Sequence, residues 1–140
     1  MDLETVDPAD FGRSPNGIGL NLLVRDVLAM ASFAGEVLGL GVHRLTSDFC
    51  LLSHEGTLIQ VHRDATFLAH PVLALVPDGV RGGGVQIHLF GIDPDAAARR
   101  AEAAGTTVAE APSGKPYGLR ECTILSPEGY AFSPAIVHDG

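Results

Sequence analysis

Basic side chains are scarce in this chain. Lys and Arg together number 9 against 17 Asp and Glu, a formal net charge of −8. Nucleic-acid binding needs clustered cations to neutralise phosphates, and the cations here are scattered, so that partner class is excluded. A neutral or cationic small ligand suits the field better. Cysteine is sparse too: Cys50 and Cys122 lie inside strand-like runs, their spacing fits neither a disulfide framework nor a zinc site, and they read as buried thiols. The longest apolar candidate, Pro71-Val-Leu-Ala-Leu-Val76, is far short of the roughly 20 residues that span a bilayer, so no membrane partner is expected. The N-terminus is acidic (Asp2, Glu4, Asp7, Asp10) and lacks the basic-then-apolar order of a secretory leader, which leads us to expect a soluble cytoplasmic protein.

What is present is repetition. Asp26 opens an Ala-rich helical stretch, and Ser53-His-Glu-Gly56 later leads into a strand-like run from Thr57 to His62. Asp93 opens a second Ala-rich stretch, and Ser126-Pro-Glu-Gly129 leads into Tyr130 to Ala135. Such self-similarity points to two copies of one supersecondary unit, each too small to bury its apolar face alone. With 140 residues, 46% hydrophobic, the chain suffices for one domain built of two modules.

Residues 1–16 are polar, show no sustained period and are expected to form a flexible arm. A single domain should occupy 17–140. Alternation from Ile18 to Val24 predicts a strand; Asp26 is a candidate helix N-cap, and Val27, Met30, Ala31, Ala34, Val37 and Leu38 share one helical face. Gly39 and Gly41 mark the helix end, and three short strands follow over 42–46, 49–52 and 57–62. Module one (17–63) thus reads β-α-β-β-β. A crossover, 64–84, with Pro71, Pro77 and Gly82-Gly-Gly84 suits a flexible link or lid. Module two (85–137) repeats the order: strand 85–90, helix 95–104 stopped by Gly105, then strands over 106–110, 119–125 and 130–136. The loop 112–118 is longer than its counterpart in module one, and loops on a rigid scaffold often carry binding residues.

Strand alternation sorts side chains by face. Ile59 and Val61 should meet a helix while Leu58, Gln60 and His62 point away; Val85, Ile87 and Leu89 oppose Gln86 and His88. Asn21 and Leu23 join the non-helical face of the first module, and Ala131, Ser133 and Ala135 that of the second. If the sheets curl around a common cleft, its floor combines amides, imidazoles, a hydroxyl and apolar carbon, the composition of a small-molecule pocket. The same alternation also fits a face that is simply solvated.

The β-α-β-β-β repeat, Leu22-Leu-Val-Arg-Asp26, Glu36-Val-Leu-Gly-Leu40, Ala103-Ala-Gly105, Tyr117-Gly-Leu-Arg-Glu121 and Ser126-Pro-Glu-Gly129 together resemble the vicinal oxygen chelate superfamily of glyoxalase I, bleomycin resistance proteins and extradiol dioxygenases. The resemblance runs from about Ile18 to Ile136. It implies an α+β fold of two tandem βαβββ modules forming a curved, mixed-sheet cleft, commonly completed by dimerisation. Metalloenzymes of the superfamily place His, Gln or Glu ligands at positions that correspond to Gly19, Gln60, Gln86 and Ser133. Gly19 has no donor, Ser133 is a weak one, and no carboxylate is present, whereas a divalent metal wants anionic or imidazole donors. What remains is similar to the metal-free branch typified by bleomycin resistance proteins.

The expectation is therefore a metal-independent, homodimeric small-molecule-binding protein without a cofactor, with Asn21, Gln60, His62, Gln86, His88, Arg120 and Ser133 as candidate contacts. Arg120 and Glu121 alternate, so one of them faces the cleft. An alternative is a lyase, isomerase or dioxygenase holding Ni, Zn, Fe or Mn at a displaced site of His62 and His88, since two imidazoles can hold such metals. A third class, metal-free acid–base catalysis by His62 or His88, suits histidine's titration range but has no obvious carboxylate partner on the same face. His43, His54, His70 and His138 read as surface residues.

Overall fold

The computed structural model describes residues 1–138; the last two residues of the expected 17–140 domain lie outside the described residues. The chain divides into two compact units, Met1–Ala31 with Leu40–Leu75, and Ser32–Gly39 with Val76–Gly140. These units do not coincide with the sequence modules, because residues 32–39 group with the second unit.

The first unit opens with a short helix, α1 (Pro8–Arg13), and a sheet of β1 (Leu20–Val24), β2 (Gly41–His43), β3 (Phe49–His54) and β4 (Thr57–Arg63) in the order β1-β4-β3-β2. β1 runs parallel to β4, with Asn21 opposite Gln60 and Leu23 opposite His62; the remaining pairs are antiparallel. Leu22, Val24, Cys50, Leu52, Ile59 and Val61 are buried on one face, as alternation requires. Asp26 caps α2 (Val27–Glu36), its carboxylate accepting the Ala29 amide at 3.0 Å. All six residues expected on its apolar face, Val27 through Leu38, are buried.

The 1–16 arm is more structured than its polarity suggests. Asp7 caps α1 by accepting the Ala9 amide at 3.0 Å, and Pro8 supplies a preset first-turn φ. The Glu4 carboxylate accepts the Arg44 amide at 2.8 Å, and the Arg44 guanidinium donates to the Val6 carbonyl, so the arm is tied to the end of β2. Residues 64–75 hold two 3₁₀ turns, Asp64–Phe67 and Pro71–Leu75.

The second unit repeats the pattern with β5 (Gln86–Phe90), α3 (Pro94–Ala104), β6 (Val108–Gly114), β7 (Leu119–Leu125) and β8 (Ala131–Val137), in the order β5-β8-β7-β6. Asp93 caps α3 and Gly105, at φ 75°, closes it in the left-handed conformation. Phe33 packs 6.0 Å from Phe132, which is fully buried, and Arg100 donates to the Val37 carbonyl at 2.9 Å, which explains why 32–39 belong to this unit.

Two expectations change here. The supposed loop 112–118 is shorter than expected: Pro112, Ser113 and Gly114 belong to β6, leaving a tight turn in which the Lys115 amide donates to the Leu119 carbonyl at 2.7 Å. Proline is tolerated because β6 is an edge strand, and the register shifts twice along it. The Gly82-Gly-Gly84 run is also no free hinge at its start. Gly82 sits at φ 79° so close to Tyr130 that a Cβ would lie 2.6 Å from its ring, and the adjacent Arg81 amide bonds the Glu128 carbonyl at 2.7 Å.

Candidate functional site

On the non-helical face of the first sheet, the β1/β4/β3 register lines up Asn21, Leu23, Gln60, His62, Phe49 and Leu51. Asn21 is exposed, Gln60 and His62 are half-buried, and Leu23 and Leu51 are buried. His62 lies between Phe49 and Phe67, ring centroids 4.9 and 5.0 Å away, and its Nε2 stands 3.2 Å from Gln60 Oε1. Burial lowers the pKa of this imidazole, favouring the neutral ring. A cavity of about 350 Å³ reaches Gln60, lined also by Gly19 and Leu58 from the sheet side and by Phe11 and Asn16 from the arm.

The second sheet presents a denser polar face. Gln86 donates from its amide to Ser133 Oγ at 2.8 Å, and that hydroxyl is 2.9 Å from Thr123 Oγ1, a chain of neutral groups. His88 stands opposite Ser133, stacked on Phe90 with ring planes 8° apart. Its Nδ1 is 3.5 Å from Glu121 Oε2, and Tyr117 donates its hydroxyl to Glu121 Oε1. The Glu121 side chain is only 5% exposed.

Arg120 points the other way. It grips Asp95 of α3 with two hydrogen bonds, at 2.7 and 2.8 Å. The residue of this pair on the face with Gln86, His88 and Ser133 is Glu121. The carboxylate partner that the sequence did not reveal for His88 is thus supplied two strands away, across Ser133 and Ala135 of β8, which are small enough to let the side chains meet.

Among the other histidines, His43 lies in β2, within the strand expected over 42–46, and is half-buried with its Nε2 2.7 Å from Ser53 Oγ. His70 accepts the Val72 amide at 3.1 Å. Cys50 and Cys122 are fully buried free thiols, both pushed up to about 11 chiefly by burial, which removes them as nucleophiles near neutral pH.

Two four-stranded mixed sheets, each with a parallel first and last strand, are the decisive arrangement. A glyoxalase/bleomycin resistance protein/dioxygenase family enzyme from Burkholderia phytofirmans PsJN matches with a TM-score of 0.69 at 22% identity, over 84% of this chain and 95% of that one. The chain has the glyoxalase/bleomycin resistance protein/dioxygenase fold. A second such protein, from Nocardioides, matches with a TM-score of 0.65 at 21% identity over 90% of this chain and 85% of its own. Lactoylglutathione lyase from Agrobacterium tumefaciens shares the fold with a TM-score of 0.63 at 18% identity, covering 87% of this chain and 94% of that one. No protein-family model matches the sequence, and no curated protein does.

On this glyoxalase-type fold the four positions that resemblance assigns to metal ligands do not suit a divalent ion. Gly19 has no side-chain donor, the Gln60 carbonyl is engaged by His62, and Gln86 and Ser133 bond each other. Among the described residues no group of three or more His, Cys, Asp and Glu side chains could hold a metal ion, and no helix is long and apolar enough to cross a membrane.

Proposed function

We propose that this chain is a metal-independent small-molecule-binding protein of the glyoxalase/bleomycin resistance type, which sequesters its ligand on the non-helical faces of its sheets. The observation behind this reading is that Gln86 and Ser133, at two of the positions where metalloenzymes of this fold would need ligands, are tied into a neutral hydrogen-bonded chain with Thr123. Amides and hydroxyls set among apolar side chains orient an organic ligand and hold a divalent cation poorly. Asn21, Gln60, His62, Gln86, His88 and Ser133 are the contacts we assign to it. Arg120 would contribute only if it released Asp95. Assembly as a homodimer belongs to the same reading and is checked by light scattering at two protein concentrations.

The test is a ligand screen by thermal shift, with and without chelator, alongside metal analysis of protein purified without chelator. Stabilisation that survives chelator and weakens in Gln86→Ala and Ser133→Ala supports the reading. Near-stoichiometric metal that disappears in a His62→Ala, His88→Ala double variant would overturn it in favour of a displaced-site metalloenzyme.

A second reading has its own observation. His88 stands with its Nδ1 3.5 Å from the buried Glu121 carboxylate, a histidine beside an acidic neighbour with Nε2 left for a substrate, which suits a general base. Proton exchange at an acidic C–H of a bound ligand, abolished in His88→Ala, would favour it.

A further inference from the structure

The cavity in the first unit has an unusual wall. Its lining includes Phe11, Asn16 and Ile18 from the N-terminal segment and Thr57, Leu58 and Gln60 from β4. None of its lining residues is charged. Ile18 is 93% exposed there, an apolar side chain left in water at the rim. Arg13, which precedes the lining residue Ser14, is itself not part of the wall and pairs with Asp10 at 3.2 Å. The side chains of Asn16 and Thr57 have no hydrogen-bond partner among the described residues, and the Gln60 amide nitrogen is likewise open because His62 occupies only its carbonyl.

Space comes from Gly19. A Cβ there would meet nothing within 4 Å, so a residue that superfamily metalloenzymes use as a ligand here leaves volume for a guest. The arm is positioned by the Glu4 and Val6 contacts to Arg44, which bring α1 and Phe11 back over the start of β1.

We propose that residues 11–18 wall a pocket on the first sheet that takes a neutral, ring-containing small molecule, with Phe11, Ile18 and Leu58 packing its rings and Asn16, Thr57 and Gln60 meeting its polar edge. Within the small-molecule reading, on which it rests, the proposal fixes ligand charge and place. A volume of about 350 Å³ lies at the small end of organic-ligand pockets. An ionised ligand entering it would lose hydration without gaining an opposite charge.

The experiment is fluorescence titration of the full chain with two dyes of one ring skeleton, neutral N-phenylnaphthylamine and anionic anilinonaphthalene sulfonate. The neutral dye should bind saturably, one per chain, and the anion at least about tenfold more weakly. Gly19→Leu should abolish neutral-dye binding, since the position is open and its backbone accepts a side chain, so the variant folds. Phe11→Ala should weaken it about tenfold, the loss of one ring contact, and Gly83→Ala in the other unit should leave it unchanged. Absent neutral-dye binding, equal binding of the anion, or binding indifferent to Gly19→Leu each overturns the pocket. If the dye binds, Gly19→Leu spares it and Gln86→Ala weakens it, the pocket is wrong while the wider small-molecule reading stands.

Discussion

His88 Nδ1 and Glu121 Oε2 face each other at 3.5 Å, each buried and each without a hydrogen bond to any described group. A buried carboxylate oxygen left unpaired is costly.

Tyr117 reports on that carboxylate. The hydrogen bond to Glu121 is the main reason its hydroxyl is pushed up to about 12. A raised value in the folded state contributes stability that is whole below the ordinary tyrosine range, near pH 10, and is lost as pH rises through about 12. In an absorbance titration of tyrosinate, Tyr117 should ionise late, and Glu121→Gln should bring it back toward 10. No change in that variant would mean that Glu121 does not hold the hydroxyl.

Asp95 behaves in the opposite sense. The hydrogen bond from Arg120, ahead of every other cause, holds its carboxyl below the ordinary range. The pairing therefore adds stability above the unfolded-state value, about 4, and that gain disappears as pH falls through the lowered folded value. Denaturant melts of wild type and Asp95→Asn should differ at neutral pH and converge in acid. A gap that widens in acid would contradict the assignment.

Two adjacent glycines should respond differently to alanine. Gly82 combines φ 79° with a Cβ position 2.6 Å from the Tyr130 ring and 3.0 Å from its Cα, so Gly82→Ala should cost roughly 2 kcal/mol. Gly83 is open and its backbone is not left-handed, so Gly83→Ala should change stability by no more than about 0.5 kcal/mol. Chemical denaturation of the two variants decides it; equal losses would mean that the Tyr130 contact and the left-handed backbone do not set the cost at Gly82.

Cys50 and Cys122 should resist thiol reagents in the native protein at mildly alkaline pH, because few thiolates exist below about 11 and both sulfurs are buried. Reaction should begin only where denaturant unfolds the chain. Rapid native labelling of either would show an opening that the fold does not provide.

Local features were legible in the sequence. Asp26 as a cap, Gly105 as a stop and the burial of Ile59, Val61, Ile87 and Leu89 depend on neighbours a few residues away, which the order of residues displays directly. The extension of β6 through Pro112 was hidden, because proline argues against a strand unless the strand is known to lie at an edge. The choice between Arg120 and Glu121 was hidden for a related reason. Alternation says that they face opposite ways, and only the β5-β8-β7 order, which is out of chain sequence, says which joins His88. Helix α1 leaves no mark in the sequence because six residues with no buried side chain show no periodicity.

The grouping of residues 32–39 with the second unit bears on how the protein is made. During synthesis that segment leaves the ribosome long before β8, so Phe33 waits about a hundred residues of chain for Phe132. Contacts so distant in sequence form late and slow folding. A nascent chain stopped within the 64–84 crossover would thus expose a helix whose second half has no finished core to join.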